Sequence, residues 1–469
     1  MRRFLVEVTA FLALTAAFPL AAELVLRGLD VRTDVPIFAP ATDGDGTPIE
    51  RLVHNPQFDM PVGPDREHEF RADKLPGTFR IFVIGESEAA GAPYNTSLAF
   101  PAWLGKRLAA EAPGVHWEVV NAALAGLQSW SALEVVREIA RYQPDLLVVY
   151  LGNNEIGTRF SPNERRWLDP RGPAWRTWLV NTRLYTLLSR IVPAHTASQM
   201  LDLQHAHRSG DIHATDAGRR VYATTSDRAL SAALFRARVE QMVRLMRAAG
   251  ARTMLLTLSR NFSQWPPALS VHRPGLRPEQ KMAWRRAVRE GDALAAHDCS
   301  GALASWSRAL SIDDGFAELQ FKIATCEWSL GRLDAANTRF RLASDLDRHP
   351  QGAPTALNDI LRDVARREDA LLVDVDVAFA RASGERLVGD DLFVDPVHPR
   401  ILGHQLIAQV VADAIRESGL AGPQVTWKPD AYVDPDPTAL LDADPNLRFR
   451  EDIARKISCS AAGRPNCER

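Results

Sequence analysis

The sequence predicts an α/β fold: a parallel sheet covered by helices on both faces, with an α-helical subdomain inserted into it. Three observations carry this expectation. Short apolar runs recur along the chain, amphipathic stretches separate them, and an alanine/aromatic pattern repeats at a spacing of 34 residues between the fourth and fifth runs. Strands that alternate with helices lie parallel, and a parallel sheet needs cover on both sides.

Taken in order, the chain begins with Arg2 and Arg3 ahead of an apolar stretch in which Val8 to Ala22 carries no charge. That length suits the core of a signal peptide, with Leu20-Ala21-Ala22 as a cleavage site. Read through Glu7 and Glu23, Phe4 to Leu26 could instead span a bilayer as an uncleaved anchor. Residues 1–27 are thus a signal peptide or a membrane anchor, with an amphipathic helix on the globular body as the third reading. The two leading readings place the body outside the cytoplasm, periplasmic, and either anchored or secreted. Residues 28–78 are rich in Pro, Asp and Gly, show no sustained period, and read as a lead-in segment.

The first part of the sheet domain is expected over 79–275. Its strands are Arg80 to Gly85, Trp117 to Asn121, Asp145 to Leu151 and Thr253 to Leu258. Each is a short buried run. Helical patterns at Pro101 to Ala112 and Ser131 to Tyr142 separate the first three. Residues 160–226 form an insertion whose Trp167, Trp175, Trp178, Tyr185 and Leu188 suggest a packed lid or cap with an aromatic face. The second part, 351–420, holds the strand Leu371 to Val375 and the helical run Gly403 to Ile415. Residues 421–469 are a C-terminal extension, Pro- and Asp-rich through Asp444, with no legible role.

Between the two parts, over 276–350, Ala302, Trp306 and Ala309 recur as Ala336, Phe340 and Ala343. Thirty-four residues is the period of the tetratricopeptide repeat, in which small residues let two helices approach and one aromatic fills the gap. Two units fit, from about Ala283 to Arg348; an ordinary helical hairpin with alanine-rich faces is the alternative. Two units are too few for a free solenoid, so they are expected to lean on the sheet domain.

The 469 residues are 46% hydrophobic and 24% charged, with a formal net charge of −2. That supports a sizeable core and gives no electrostatic case for nucleic acid. The four cysteines, Cys299, Cys326, Cys459 and Cys467, permit two disulfides in an exported chain, with Cys459 and Cys467 able to staple a short loop. No C-x-x-C occurs, and His205, His207 and His213 lie in a polar loop without a converging acid or thiol. Neither a metal nor another cofactor is called for.

Four stretches at strand ends carry chemistry. Gly85-Glu86-Ser87 follows the first strand and exposes a hydroxyl at a strand-to-helix turn. Gly126 follows the second, where the missing side chain lets a backbone N–H approach a ligand. Gly152-Asn153-Asn154 follows the third, and the Asn154 amide is a candidate donor to a developing oxyanion. Asp395-Pro396-Val397-His398 comes near the end, where an Asp three residues before a His can fix the imidazole tautomer and leave Nε2 for the serine. Taken singly, each reads as a cap or a turn.

Together and in this order, these stretches resemble the SGNH, or GDSL-type, hydrolase family. The resemblance spans about Arg80 to Ile415, apart from the insertions. It implies a three-layer flavodoxin-like fold in which Ser87 is the nucleophile and His398 and Asp395 are its base and orienting acid. The Ser87 N–H, Gly126 and Asn154 then form the oxyanion hole. The chain is also similar to an exported bacterial branch that carries tetratricopeptide repeats inside the hydrolase domain. Glu86 and Glu155 stand where the family has Asp, positions that transfer no proton in its scheme. The resemblance implies an ester-bearing small molecule, glycan or lipid as substrate, and both hydrolysis and O-acyl transfer remain open. It leaves room for a protein partner on the repeats and for membrane contact through the N-terminal segment. The reading from another class is a repeat scaffold with a vestigial hydrolase site.

Overall fold

A computed structural model describes residues 17–29, 31, 37–53, 68–155, 168–173, 175, 176, 179, 182–191, 225–384 and 387–461. The first strands arise where the sequence suggested only a lead-in. β1 (Phe38–Thr42), β2 (Pro48–Leu52) and β3 (Glu69–Arg71) form an antiparallel sheet in that order. Asp43 caps the β1–β2 turn through its side chain, which accepts the N–H groups of Asp45 and Thr47. Phe38 and Phe70 then pack edge-to-face on Phe82 of the main sheet, with ring centroids 6.0 and 5.1 Å away. The buried Glu138 carboxylate accepts the Ile37 N–H at 2.7 Å. This segment is therefore a built layer, and the lead-in expectation is corrected for its described residues.

The apolar runs become a five-stranded parallel sheet: β4 (Thr78–Gly85), β5 (His116–Asn121), β6 (Leu146–Tyr150), β7 (Arg252–Leu256) and β8 (Leu371–Val373). The spatial order is β5-β4-β6-β7-β8, the flavodoxin-like sequence of connections. Its switch point lies between β4 and β6, and in open parallel sheets of this kind ligands bind at such a point, beyond the carboxyl ends of the strands. β6 is buried along its whole length, as its unbroken Leu/Val/Tyr run requires of a central parallel strand. Helix Phe100–Glu111 packs on β5 and against helix Ile401–Ser418, while helix Thr355–Arg367 packs on β7 and β8. The buried positions of Ile401–Ser418 include Ile407, Ala408, Val411, Ala412 and Ile415, the i, i+3/i+4 stripe of a one-faced helix.

Between β7 and helix Thr355–Arg367, which leads into β8, stand four successive helices, Pro278–Leu294, Cys299–Ile312, Ala317–Ser329 and Leu333–Leu346, packed as consecutive pairs. Ala302, Trp306, Ala309, Ala336, Phe340 and Ala343 are all buried. Trp306 lies across Gly291, where a Cβ would come within 2.4 Å of the indole, and its Nε1 donates to the Val288 carbonyl. A disulfide joins Cys299 to Cys326 and so ties the second helix to the third. Cys459 is also disulfide-bonded; its expected partner Cys467 lies outside the described residues.

Contacts group Met1–Val35 with Arg159–Leu234 as one compact unit, and Pro36–Thr158 with Phe235–Arg469 as another. In the first, Glu23 accepts from the Leu184 N–H, and Arg183 donates to the Leu26 and Val31 carbonyls. Trp175, Tyr185 and Leu188 are exposed, so these three do not form the packed aromatic face expected of them. Trp167, Trp178 and the histidines 205, 207 and 213 lie outside the described residues. Among the described residues no helix is long and apolar enough to cross a membrane; the candidate span Phe4 to Leu26 begins outside them.

Trp306→Ala is expected to destabilise the four-helix insertion by about 3–5 kcal/mol, the range for deleting a buried large aromatic. Chemical denaturation followed by circular dichroism measures this. A loss below about 1 kcal/mol would show that the indole is not the centre of the insertion's packing.

Candidate active site

The site grows from the end of β4. At Gly85 a Cβ would lie 2.6 Å from the Tyr150 carbonyl oxygen and 2.5 Å from the Ala89 Cβ. Glycine is what allows β4 and β6 to come this close while the chain turns at once into helix Ser87–Ala90. Ser87 is the first residue of that helix and is partly exposed.

Glu86, fully buried, uses both oxygens on the neighbouring turn. Oε1 accepts the Gly152 N–H at 2.8 Å and Oε2 accepts the Asn154 N–H at 3.1 Å. The turn after β6 is thereby fastened to the turn that carries Ser87. The turn after β5 joins the same edge, since Leu124 N–H donates to the Gly85 carbonyl. Gly126 is exposed there with φ +75°, a left-handed conformation suited to glycine. The Asn154 side-chain amide donates to Leu127 O at 3.4 Å, at the weak limit of a hydrogen bond. Glu155 accepts from the Ser129 N–H and hydroxyl, which secures the helix that follows the Gly126 turn.

The acid–base pair arrives from the far end of the chain. Asp395 is 1% exposed. Its Oδ1 accepts the N–H groups of Val397 at 3.0 Å and His398 at 2.9 Å, so it folds its own loop. Its Oδ2 lies 2.7 Å from His398 Nδ1, and His398 Nε2 lies 2.9 Å from Ser87 Oγ. Asp395, His398 and Ser87 thus form one hydrogen-bonded chain. With Nδ1–H donating to the carboxylate, the neutral imidazole keeps Nε2 free to accept the serine proton.

Electrostatics favour a charged imidazole. Burial opposes the cation, but the Asp395 charge and hydrogen bond, with the Glu88 charge behind them, push His398 up to about 9. Burial raises Asp395, yet the His398 charge, its hydrogen bond and the two loop N–H groups together hold that carboxyl below the usual range. Burial, and then the adjacent Glu88, push Glu86 well above it. Burial also raises Glu88, whose Oε1 accepts from Asn153 Nδ2 at 2.6 Å. The His398 shift links to stability as well. Its contribution is fully present below the unfolded value near 6.5 and is lost as pH rises through about 9.

The arrangement supplies a hydroxyl whose proton has a path to an imidazole, beside two turns that can present donors to an oxyanion. The family model for GDSL-like lipases and acylhydrolases matches residues 83–318, half of the chain. The chain belongs to that family. The match includes Ser87, Gly126 and Asn154 and stops before Asp395 and His398, which this acylhydrolase brings to Ser87 through its fold. An ester hydrolase is thus the enzyme class of the domain.

The hydrolase is similar to LAE5, an alpha/beta hydrolase enzyme from the metagenome of Lake Arreo, Spain. They share 15% identity over 72% of this chain and 94% of that one, with a TM-score of 0.33. It is similar to TesA at 16% identity over 72% and 98%, with a TM-score of 0.31. A lipase/acylhydrolase from Enterococcus faecalis shares 13% over 75% and 98%, with a TM-score of 0.33. No curated protein matches the chain.

Glu86, Glu88, Asn153 and Glu155 surround the expected residues and were given no role by sequence reasoning. The available signal was acidic residues flanking Ser87 and Asn154 at the ends of strands too apolar to leave them exposed. Among the described residues no cluster of three metal-ligating side chains occurs.

Glu88→Gln removes a negative charge near His398 while keeping an acceptor for Asn153. The His398 titration should then move downward from about 9, because the imidazolium loses a stabilising neighbour. Histidine-detected NMR reads this directly, and an unchanged titration would show that Glu88 carries no charge where His398 titrates.

Proposed function

We propose that this acylhydrolase works through Ser87 as nucleophile, His398 as general base and then acid, and Asp395 as the orienting carboxylate. The hydrogen-bonded chain from Asp395 Oδ2 through His398 to Ser87 Oγ carries the reading. Ser87 Oγ bonds to the ester carbonyl carbon as its proton passes to His398 Nε2, and the carbonyl π electrons move onto oxygen. The Ser87 N–H, the Gly126 N–H and the Asn154 amide receive that oxyanion. Collapse breaks the ester C–O bond, and the leaving alkoxide takes the proton from His398. Water, deprotonated by His398, then cleaves the acyl-enzyme; a sugar hydroxyl in its place would give an O-acyltransferase.

The free base is the reactive form, so kcat/KM should rise with pH through about 9, where His398 loses its proton.

The substrate in this reading is an acyl ester on an extracytoplasmic carbohydrate or lipid. The Cys299–Cys326 disulfide supports an oxidising compartment, as does the basic-then-apolar N-terminus, which also offers the membrane contact. The four helices from Pro278 to Leu346 are read as two tetratricopeptide units that shape access or dock a protein partner and do no chemistry. Their 34-residue spacing and buried Ala/aromatic pattern support this.

A fluorophosphonate probe is expected to label the wild-type protein once, and Ser87→Ala to abolish labelling with the fold intact. Labelling that survives Ser87→Ala would move the nucleophile elsewhere. Asn154→Ala should leave labelling possible but lower kcat on a small acetyl ester by roughly 10²–10³, the usual cost of one oxyanion donor. Normal turnover in that variant would remove Asn154 from the oxyanion hole.

A further inference from the structure

Helix Pro445–Ala461 lies in the segment whose role the sequence left blank. Its residues Glu451, Arg455 and Ser458 recur at i, i+4 and i+7 and so share one face. Glu451 pairs with Arg400 and accepts from the Tyr94 hydroxyl. Arg455 pairs with Asp390 at 3.1 Å, donates to the Val394 carbonyl at 3.3 Å, and lies over the Trp265 ring. Of these partners, Asp390 and Val394 lie on the loop that runs into Asp395, and Arg400 caps the start of the helix after His398. Ser458 completes the face: its Oγ lies 2.8 Å from Asp395 Oδ2, and its carbonyl accepts from Gln351 Nε2. An ionised carboxylate only accepts, so the serine hydroxyl is the donor.

We propose that Ser458 is a positioning residue of the hydrolytic site, acting on His398 through Asp395. This rests on the reading of Ser87, His398 and Asp395 given above. Asp395 then receives four donors: two backbone N–H groups on Oδ1, and His398 Nδ1–H and the Ser458 hydroxyl on Oδ2. A carboxylate filled in this way cannot rotate away from the imidazole without losing a bond. The Ser458 hydroxyl also draws charge from the oxygen that faces His398, which tempers the pull of Asp395 on the imidazolium. The charges facing His398 are Asp395 and Glu88, and Arg455 and Asp390 form an ion pair at the base of the same loop.

The test compares the full-length wild type with Ser458→Ala and Ser458→Thr, using turnover of p-nitrophenyl acetate and an NMR titration of His398 assigned with His398→Gln. Ser458→Ala is expected to lower kcat about tenfold, the equivalent of one hydrogen bond, with KM little changed. It should also move the His398 titration upward, because Oδ2 regains charge. Ser458→Thr, which keeps the hydroxyl, should restore both. If Ser458→Ala does not fold, Ser458→Cys, a weak donor of similar size, is read in its place and should shift the titration in the same direction. A His398 titration that does not move in the donor-deficient variant overturns the proposal whatever the activity. A wild-type protein that neither labels nor turns over refutes the hydrolytic reading itself, whereas normal wild-type labelling and turnover with an unmoved His398 titration in Ser458→Ala overturns the role of Ser458 alone.

Discussion

The close passage of Gly85 against the Tyr150 carbonyl governs the geometry of this molecule. Any side chain at position 85 would collide with β6, and only that contact lets the Ser87 turn and the Gly152–Asn154 turn stand side by side. Glu86 then converts proximity into attachment, with one carboxyl bound to two N–H groups of the other turn. Burying carboxyls at 86, 88 and 155 has a desolvation cost of several kcal/mol each unless the groups are hydrogen-bonded or neutralised. Each has a specific donor, so the cost is offset while the turns are fixed. Glu in place of the family's Asp at 86 and 155 still reaches its donors on the adjoining turns.

The second half of the site depends on long-range folding. His398 reaches Ser87 across 311 positions of sequence, and the four-helix insertion lies between. The flavodoxin-like strand order makes this possible, because β8 pairs with β7 whatever is looped out between them. The insertion carries its own core around Trp306 and its own disulfide, so it adds bulk without interrupting the sheet. The C-terminal segment also belongs to the sheet domain: the Lys428 N–H bonds to the Glu111 carbonyl, Gln405 bonds to the Pro435 carbonyl, and Ser458 reaches Asp395.

The parallel strands and the residues of the Asp395–His398–Ser87 hydrogen-bonded chain were legible because both leave local marks. Apolar runs ending at Gly85 and Gly152 announce central strands, and Ser87, Gly126, Asn154 and Asp395–His398 each follow one in order. The β1–β3 layer left almost none. Its strands are five residues or fewer, Pro40 and Pro48 break their pattern, and β3 pairs from beyond a long connection; Asp43-Gly44-Asp45-Gly46 was the one turn signal. The Cys299–Cys326 bridge was equally hidden, since nothing in a 27-residue separation points to a pair, whereas the shorter Cys459–Cys467 spacing drew attention. Ser458 is a lone hydroxyl on a charged helix, and only the fold reveals its partner 63 residues away.

The most direct test of the central claim is a crystal structure of the protein inactivated with a small alkyl fluorophosphonate, whose tetrahedral phosphorus stands in for the acyl transition state. The geometry predicts phosphorus bonded to Ser87 Oγ, the phosphonyl oxygen within about 3 Å of Asn154 Nδ2 and the Gly126 N–H, and Glu86 still bridging Gly152 and Asn154. An adduct on another residue, or a phosphonyl oxygen turned away from both donors, would contradict it.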